Sequence, residues 1–363
     1  MIEETLLKNE EKAVYALRSL YRRYGYLPFR MSKFEEYELY VRNKDFLVSD
    51  RVITFNDTNG KLLALKPDVT LSIIRGGEDT PGVKQKVCYN ENVYRVSEST
   101  HRFKEIMQAG LECIGDVDLY DIYEVISLAA QSLALISDRC ALEISHLGLL
   151  SAVLDELCPD GAFREQALRY IAGKNAHDLR RLCAEYGIGP GGTDRLAVFI
   201  TAYGDRHRVL DNLRAVFGAG AVRELQLLSD LLDGSPVGDR VTFDFSVVND
   251  MNYYNGFVFR GFLDGICDSV LSGGQYDNMM RRMGRSSGAV GFALYLDLLE
   301  QLTTVRREYD VDVLLLYGPD TDCRAVADKV AALQADGLTV TAQKAVPAKL
   351  RFRELCDMRG GGV

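Results

Sequence analysis

Val93-Tyr94-Arg95-Val96-Ser97-Glu98, followed by Lys104-Glu105-Ile106-Met107-Gln108-Ala109-Gly110-Leu111-Glu112, is the stretch on which the fold turns. Both halves alternate in the manner of strands, and a polar loop joins them, so residues 85–95 and 107–114 read as an antiparallel pair. Gln108, Gly110 and Glu112 share strand parity and point to one face, where the glycine leaves room. Polar side chains on a strand cost free energy unless they are paired, so they mark either a packing network or a ligand site. A Glu, a Gln and an Arg together suit an amino acid: Glu for an ammonium, Arg95 for a carboxylate or phosphate, Gln108 for an amide-type bond. An exposed strand face carrying charges is an equally good reading of the same residues.

Upstream, residues 8–25 carry Val14, Leu17, Leu20 and Tyr21 at helical spacing, and Gly25 ends the run. Tyr26-Leu27-Pro28-Phe29 is extended. Residues 51–55 and 61–66 read as strands joined by a loop ending Asn59-Gly60, a strong hairpin signal. Lys66-Pro67-Asp68-Val69-Thr70 opens a helix, with Asp68 placed to accept free N–H groups; taken alone, a plain helix cap is the better reading than a ligand site. Downstream come a helix over 118–138, with Asp116 and Asp118 as helix-start charges, and a strand over 141–146. Residues 150–235, rich in Leu, Ala, Arg and Glu and broken by Gly/Pro turns, read as a helical insertion. Strands resume at Val241–Val248, Gly256–Phe262 and Ile266–Leu271. A glycine pair follows, then a helix near 276–284 and an apolar run, Ala289–Leu294, entering a final helix. From Val311 the pattern is strand, helix, strand and then a helical start: a short βαβ unit with little core of its own.

Two further segments bear polar groups in tight contexts. Asn249-Asp250-Met251-Asn252-Tyr253-Tyr254-Asn255-Gly256 places paired tyrosines beside a turn, which taken alone read as core aromatics. Ser272-Gly273-Gly274-Gln275-Tyr276-Asp277 allows close approach of backbone to a ligand but matches neither GxxxxGK[ST] nor GxGxxG.

Composition narrows the functional classes. The 363 residues are 47% hydrophobic and 26% charged, with a formal net charge of −9, as expected of a globular chain with a real core. The acidic balance disfavours non-specific nucleic-acid binding. Eight cysteines form no CxxC pair and read as reduced, mostly buried thiols in a cytoplasmic protein. His101, His146, His177 and His207 are too scattered for a metal site. The charged N-terminus has no apolar leader, and no run approaches the length of a membrane span.

The four polar segments, in this order and spacing, resemble the catalytic core of the histidyl-tRNA synthetases, a class II synthetase family. Lys66–Thr70 is similar to their Arg-Pro-Glu-Gly-Thr; Tyr94-Arg95 and Gln108–Glu112 to the second class motif; Asn252-Tyr253-Tyr254 to Asp-Tyr-Tyr; Gly273-Gly274-Gln275-Tyr276-Asp277 to Gly-Gly-Arg-Tyr-Asp; and Gly291-Phe292-Ala293-Leu294 to the strand of the third motif. The resemblance covers about residues 10–150 and 240–300, and more loosely 311–363. It implies an α+β fold with a class II synthetase-like antiparallel sheet flanked by helices. The core spans residues 1–305, with the helical insertion at about 150–235. Residues 310–363 correspond to part of an anticodon-binding α/β unit.

The departures from the synthetase pattern are specific. Asn249 stands in the place of the catalytic arginine. Asp297-Leu298 replaces the Glu-Arg whose arginine holds ATP phosphate, and Gln275 replaces the arginine of the Gly-Gly-Arg segment. The loop between Glu98 and Gln108 is also shorter. An amide or a leucine supplies neither the charge nor the fork of a guanidinium. The histidine-recognition side is better kept, and that combination resembles the regulatory subunits of short-form ATP phosphoribosyltransferases in histidine biosynthesis.

The resemblance therefore implies a non-catalytic histidine sensor that activates a catalytic ATP phosphoribosyltransferase subunit and mediates feedback inhibition. Asp68, Thr70, Arg95, Gln108, Glu112, Tyr253 and Tyr254 are the histidine-binding candidates. Glu98, Gly273 and Gly274 are candidates for a vestigial nucleotide site. No catalytic residue, cofactor or metal is expected. The expected partners are the catalytic subunit and histidine, with a homodimer inside a hetero-oligomer and neither membrane nor tRNA. An active histidyl-tRNA synthetase is the alternative, and a histidine- or nucleotide-binding paralogue serving another partner is a third reading.

Overall fold

The computed structural model describes residues 7–43, 52–77, 80, 82–97, 100–248, 253–302 and 308–359. Two compact units divide at Leu302 and Thr303.

The first unit is organised by two long strands. β1 is the short extended segment Leu27–Pro28; β2 (Phe34–Glu36), β3 (Thr54–Asn56) and β4 (Leu62–Leu65) form a separate three-stranded sheet in the order β2-β4-β3. β5 (Lys84–Val96) and β6 (Phe103–Gly115) are each 13 residues long. They pair antiparallel over their whole length, with Gly110 opposite Tyr89 and Glu112 opposite Val87. The hairpin is longer than its apolar alternation suggests, because the outer ends are held by ladder hydrogen bonds between polar residues such as Arg95 and Lys104.

β7 (Cys140–His146), β8 (Tyr203–Gly204), β9 (Val241–Asp244), β10 (Phe257–Leu263), β11 (Leu271–Gln275) and β12 (Gly288–Tyr295) complete a nine-stranded sheet ordered β1-β5-β6-β12-β11-β10-β7-β9-β8. Its centre is antiparallel, while β1–β5 and β7–β9 pair parallel. β11 corrects the expectation drawn from Ile266–Leu271: the strand begins at Leu271 and runs through the glycine pair. Pairing on both sides, to β10 and β12, carries the glycines despite their poor strand propensity. The segment entered from β12 is a single stretch of 3₁₀-helix, Leu296–Gln301, rather than a full helix.

One face of the sheet is covered by α1 (Asn9–Arg23) and by the helix over Leu119–Ile136. α1 buries Ala13, Leu17, Leu20 and Tyr21 on one stripe, and the Tyr21 and Ser132 hydroxyls meet at 3.1 Å. Burying each large apolar side chain here contributes about 1.5–3 kcal/mol. Between these two helices in the chain lie α2 (Tyr37–Arg42) and α3 (Thr70–Gly76), which makes the 119–136 helix α4. By length and hydropathy α4 qualifies as a membrane span, contrary to the sequence reading, but 61% of it is buried. Leu128, Ala129 and Leu133 sit inside the main core, so its apolarity is that of a central core helix.

The insertion comprises α5 (Leu147–Leu157), α6 (Gly161–Ala172), α7 (Ala176–Glu185), α8 (Pro190–Thr201), α9 (Arg206–Ala221) and α10 (Arg223–Asp233). The starts of α6, α7 and α9 are capped by side chains: Asp160 accepts from Phe163 N–H, Asn175 from Asp178 N–H and Asp205 from Arg208 N–H. α11 (Asp277–Arg282) follows β11. All eight cysteines are free thiols, and Cys267 and Cys323 are exposed rather than buried, since both lie outside the apolar runs.

The second unit holds β13 (Val311–Leu316), α12 (Cys323–Ala335), β14 (Val340–Gln343) and β15 (Phe352–Asp357). The three strands are parallel in the order β14-β13-β15. Phe352–Asp357 corrects the expected helical start: its residues pair with β13, and tertiary pairing overrides local helix propensity.

Candidate functional site

A cavity of about 410 Å³ opens on the sheet face opposite α4, between the start of α3, the β5–β6 hairpin and the tyrosine pair preceding β10. The sheet register builds its floor. Gly110 lies opposite Ala293, which lies opposite Ser272, which lies opposite Arg260; one step along, Glu112 lies opposite Gly291. Strand parity therefore aims Gln108, Glu112, Ser272 and Arg260 at the same side. The backbone at Gly291 is what admits Glu112, because a Cβ there would overlap Glu112 Oε2; at Gly110 the corresponding space is filled by the Tyr89 hydroxyl.

Glu112 is 2% exposed. Thr70 Oγ1 donates to its Oε1 at 2.9 Å and the Tyr276 hydroxyl donates to its Oε2 at 2.6 Å. Burial pushes the Glu112 carboxyl up to about 8, against the lowering effect of these two bonds, and the neighbouring Asp68 adds to the rise. Asp68 is also buried and raised by desolvation, although its Oδ1 accepts the Leu71 N–H at 2.9 Å and Arg95 draws it down. The cap reading of Asp68 and the site reading are thus both realised in one side chain.

Arg95 directs its Nε to the Pro67 carbonyl at 3.0 Å, which fixes the guanidinium at the cavity edge. Gln108, 3% exposed, lines the floor. Tyr253 and Tyr254 stand as a wall, with ring centroids 4.5 Å apart, and Tyr253 lies 5.7 Å from the Tyr276 ring. All seven expected histidine-binding residues line this one cavity.

The expected nucleotide residues do not. Gly273 faces the opposite side of the sheet, toward Phe259 and Phe292, and the space over Gly274 is taken by Tyr254. Neither lines the cavity, because both glycines serve close packing of aromatic rings. Glu98, Asn249 and Asn252 lie outside the described residues. Gln275 is turned to the neighbouring strand β10: its Oε1 accepts the Phe257 N–H at 2.8 Å. Leu298 packs against the main core as an apolar filler.

Tyr89, Arg260, Tyr276 and Tyr295 also line the cavity and went unassigned in the sequence reading. Arg260 had a signal: it is a lone cation in the apolar strand Phe257–Leu263 and alternates in phase with Val258. Tyr276 lay inside a quoted segment, but its reach to Glu112, 164 residues away, has no local signature. The cavity is therefore polarised. Asp68, Thr70, Glu112 and Tyr276 make an acidic, hydroxyl-rich end, and Arg95 and Arg260 supply positive charge. Such a site takes a small zwitterion, ammonium toward the carboxyls.

Residues 3–299 match the histidyl-tRNA synthetase family. The ATP phosphoribosyltransferase regulatory subunit of Oceanobacillus iheyensis is 26% identical over 88% of this chain and 80% of its own length. The fold is similar to that of an ATP phosphoribosyltransferase regulatory subunit/histidyl-tRNA synthetase from Bacillus halodurans, with a TM-score of 0.77, 22% identity and coverage of 99% of this chain and 97% of that one. It is also similar to a chain of an ATP phosphoribosyl transferase complex from Thermotoga maritima, with a TM-score of 0.62, 23% identity and coverage of 79% and 97%. With a class II core matched over most of its length and its polar segments gathered in one cavity, the chain belongs to the histidyl-tRNA synthetase family, among whose members it is similar to ATP phosphoribosyltransferase regulatory subunits.

Proposed function

We propose that this chain is the regulatory subunit of an ATP phosphoribosyltransferase and a sensor of histidine without synthetase chemistry. It binds histidine in the polarised cavity, associates with the catalytic subunit, activates it and relays feedback inhibition. The observation that carries the reading is the pairing of Glu112 with Thr70 and Tyr276 beside Asp68, a carboxyl pair that accepts an ammonium once Glu112 releases its proton, while Gln275 and Leu298 are committed to backbone and core. Adenylation needs positive groups aimed at phosphate, and their loss costs several kcal/mol of transition-state stabilisation, about 3–4 for a single donor. Coupling to the partner is reciprocal: if histidine weakens the active assembly, the assembly weakens histidine binding. Cytoplasmic residence and a homodimer inside a hetero-oligomer complete the proposal.

The test is histidine-dependent ATP–pyrophosphate exchange and calorimetric histidine binding on one sample, followed by addition of the catalytic subunit. Binding without exchange, with the partner's activity switched on by the chain and off by histidine, is the expected result. Exchange well above background assigns a working synthetase instead.

A further inference from the structure

One wall of the cavity is built on a helix that cannot hold its own place. α3 is seven residues long, well short of the length at which a helix is stable alone. Its start and the residues leading into it supply Asp68, Val69 and Thr70 to the cavity wall. Leu71, Ile73 and Ile74 bury it in a second apolar cluster, together with Tyr253 and Tyr276. Apolar contact of that kind is non-directional, so the rotation of the helix about its axis is left to polar contacts.

Those contacts fall on two opposite sides. Thr70 and Ser72 stand about 200° apart around the helix, whereas Ser72 and Arg75, three residues apart, are neighbours. On one side Thr70 Oγ1 donates to Glu112 Oε1 at 2.9 Å. On the other, Ser72 Oγ donates to Glu35 Oε2 at 2.8 Å and Arg75 Nη2 donates to Glu35 Oε1 at 2.9 Å. Glu35 belongs to β2 of the small sheet, is 4% exposed and also accepts from the Tyr40 hydroxyl. The short helix is thus gripped between two buried carboxyls from different sheets. The Ser72 hydroxyl also lies 3.4 Å from the Asp68 carbonyl, so one atom ties Glu35 to the backbone of a pocket residue. At the far end Arg285 Nη2 donates to the Ile74 carbonyl at 2.8 Å, which anchors the C-terminus of α3 and leaves its lateral face to Glu35.

We infer that Glu35 is a positioning residue of the pocket: by holding Ser72 and Arg75 it sets the rotation of α3, and with it the reach of Asp68 and Thr70 into the cavity. The inference rests on the proposed histidine site and deepens it. Glu35 itself does not line the cavity and touches no ligand. A buried carboxylate is costly unless donors fill it, and two of the three donors that fill this one come from α3. Satisfying Glu35 and fixing the pocket wall are therefore one event. Arg75 keeps 47% of its side chain exposed, so removing the Glu35 charge leaves a cation that water still solvates.

The experiment is calorimetric histidine titration, with chemical denaturation alongside, of the full chain and its variants. Glu35→Gln keeps the shape and removes the charge. Ser72→Ala removes the α3 hydroxyl and leaves Glu35 with Arg75 and Tyr40, so it decides the matter where Glu35→Gln does not fold. Tyr21→Phe breaks the buried Tyr21–Ser132 contact on the opposite face of the sheet and is the stability control. A misplacement of about 1 Å costs a site roughly 100-fold, and loosening one grip on α3 is expected to weaken histidine binding about tenfold in Glu35→Gln and in Ser72→Ala. Tyr21→Phe is expected to lower the denaturant midpoint comparably and keep the parental Kd. In a Thr70→Val background Ser72→Ala is expected to cost less affinity than in the parent, because part of what it displaces is already gone. Parental affinity in Glu35→Gln and Ser72→Ala, an equal loss in Tyr21→Phe, or strictly additive losses with Thr70→Val overturns the role of Glu35 and leaves the histidine site standing. No histidine binding by the unsubstituted chain overturns the site and the inference together.

Discussion

The Tyr276 hydroxyl reaches Glu112 Oε2 at 2.6 Å, and Thr70 grips the other oxygen at 2.9 Å, so the carboxyl at the end of the cavity is held by two residues from different parts of the chain. Both donors favour the ionised form that an ammonium ligand needs. Tyr276→Phe removes one of them without changing the ring. At neutral pH the raised carboxyl must release its proton to take an ammonium, and losing one donor that favours the charged form is expected to lower histidine affinity about tenfold. Calorimetry on the variant checks this, and an unchanged Kd removes Tyr276 from the site.

The same carboxyl sets a pH dependence of stability. Its ordinary value is 4.5 and in the folded chain it is about 8. Between these values the folded protein holds a proton that the unfolded chain has released, so its contribution to stability falls as pH rises through that window. The effect is about 1.4 kcal/mol for each pH unit over which the two states differ. Glu112→Gln keeps the shape and removes the titration. The variant is expected to gain stability over the parent progressively from about pH 5 to pH 8 while losing histidine binding. Denaturant midpoints at both ends of the range decide it: a difference independent of pH contradicts the raised carboxyl.

Gly291 stands where any side chain would strike Glu112. Gly291→Ala is expected to cost about 1–3 kcal/mol of overpacking and to abolish histidine binding by displacing the carboxylate. A variant with parental Tm and affinity would show that β12 has slack at this point.

Lys66 is fully buried, and its Nζ meets Glu91 Oε2 at 2.9 Å, pinning the end of β4 to β5. Lys66→Met leaves Glu91, itself only 19% exposed, without its cation; a loss of about 3–5 kcal/mol is expected. Adding Glu91→Gln to that variant is expected to restore much of the loss, because the penalty is the stranded charge rather than the missing pair. Chemical denaturation of the single and double variants tests this, and a double variant as unstable as the single one refutes it.

Parity made Gln108 and Glu112 legible in the sequence, because alternation on a long strand is a local property. The helical insertion was legible for a similar reason, since helix periodicity and capping residues are written within a few positions. The glycine pair was not. Gly273 and Gly274 look like a break after Ile266–Leu271, and only their pairing on both sides makes them strand. Phe352–Asp357 was misread because the segment contains good helix formers and its parallel partner, β13, lies some forty residues away. Arg260 was visible as an odd residue in an apolar strand, but its relevance depends on Ser272 and Tyr295 arriving from other strands.

β8, only Tyr203–Gly204, pairs antiparallel with β9, and β9 pairs with β7. The helical insertion therefore contributes the outermost strand of the sheet on which it sits. β7 and β10 meet over Cys140–His146 and Phe257–Leu263, with the whole insertion looped between them. Closing so long a loop adds little entropy, about 0.6 kcal/mol for each doubling of length, but it orders events in time. The hairpin β5–β6 pairs near neighbours in the chain, whereas the β7–β10 seam joins segments separated by the whole insertion. Arg260 lies on that seam, so the cationic end of the cavity depends on a pairing that spans the whole insertion, and because β10 is paired on both sides its backbone amides should be among the last to exchange in the native protein.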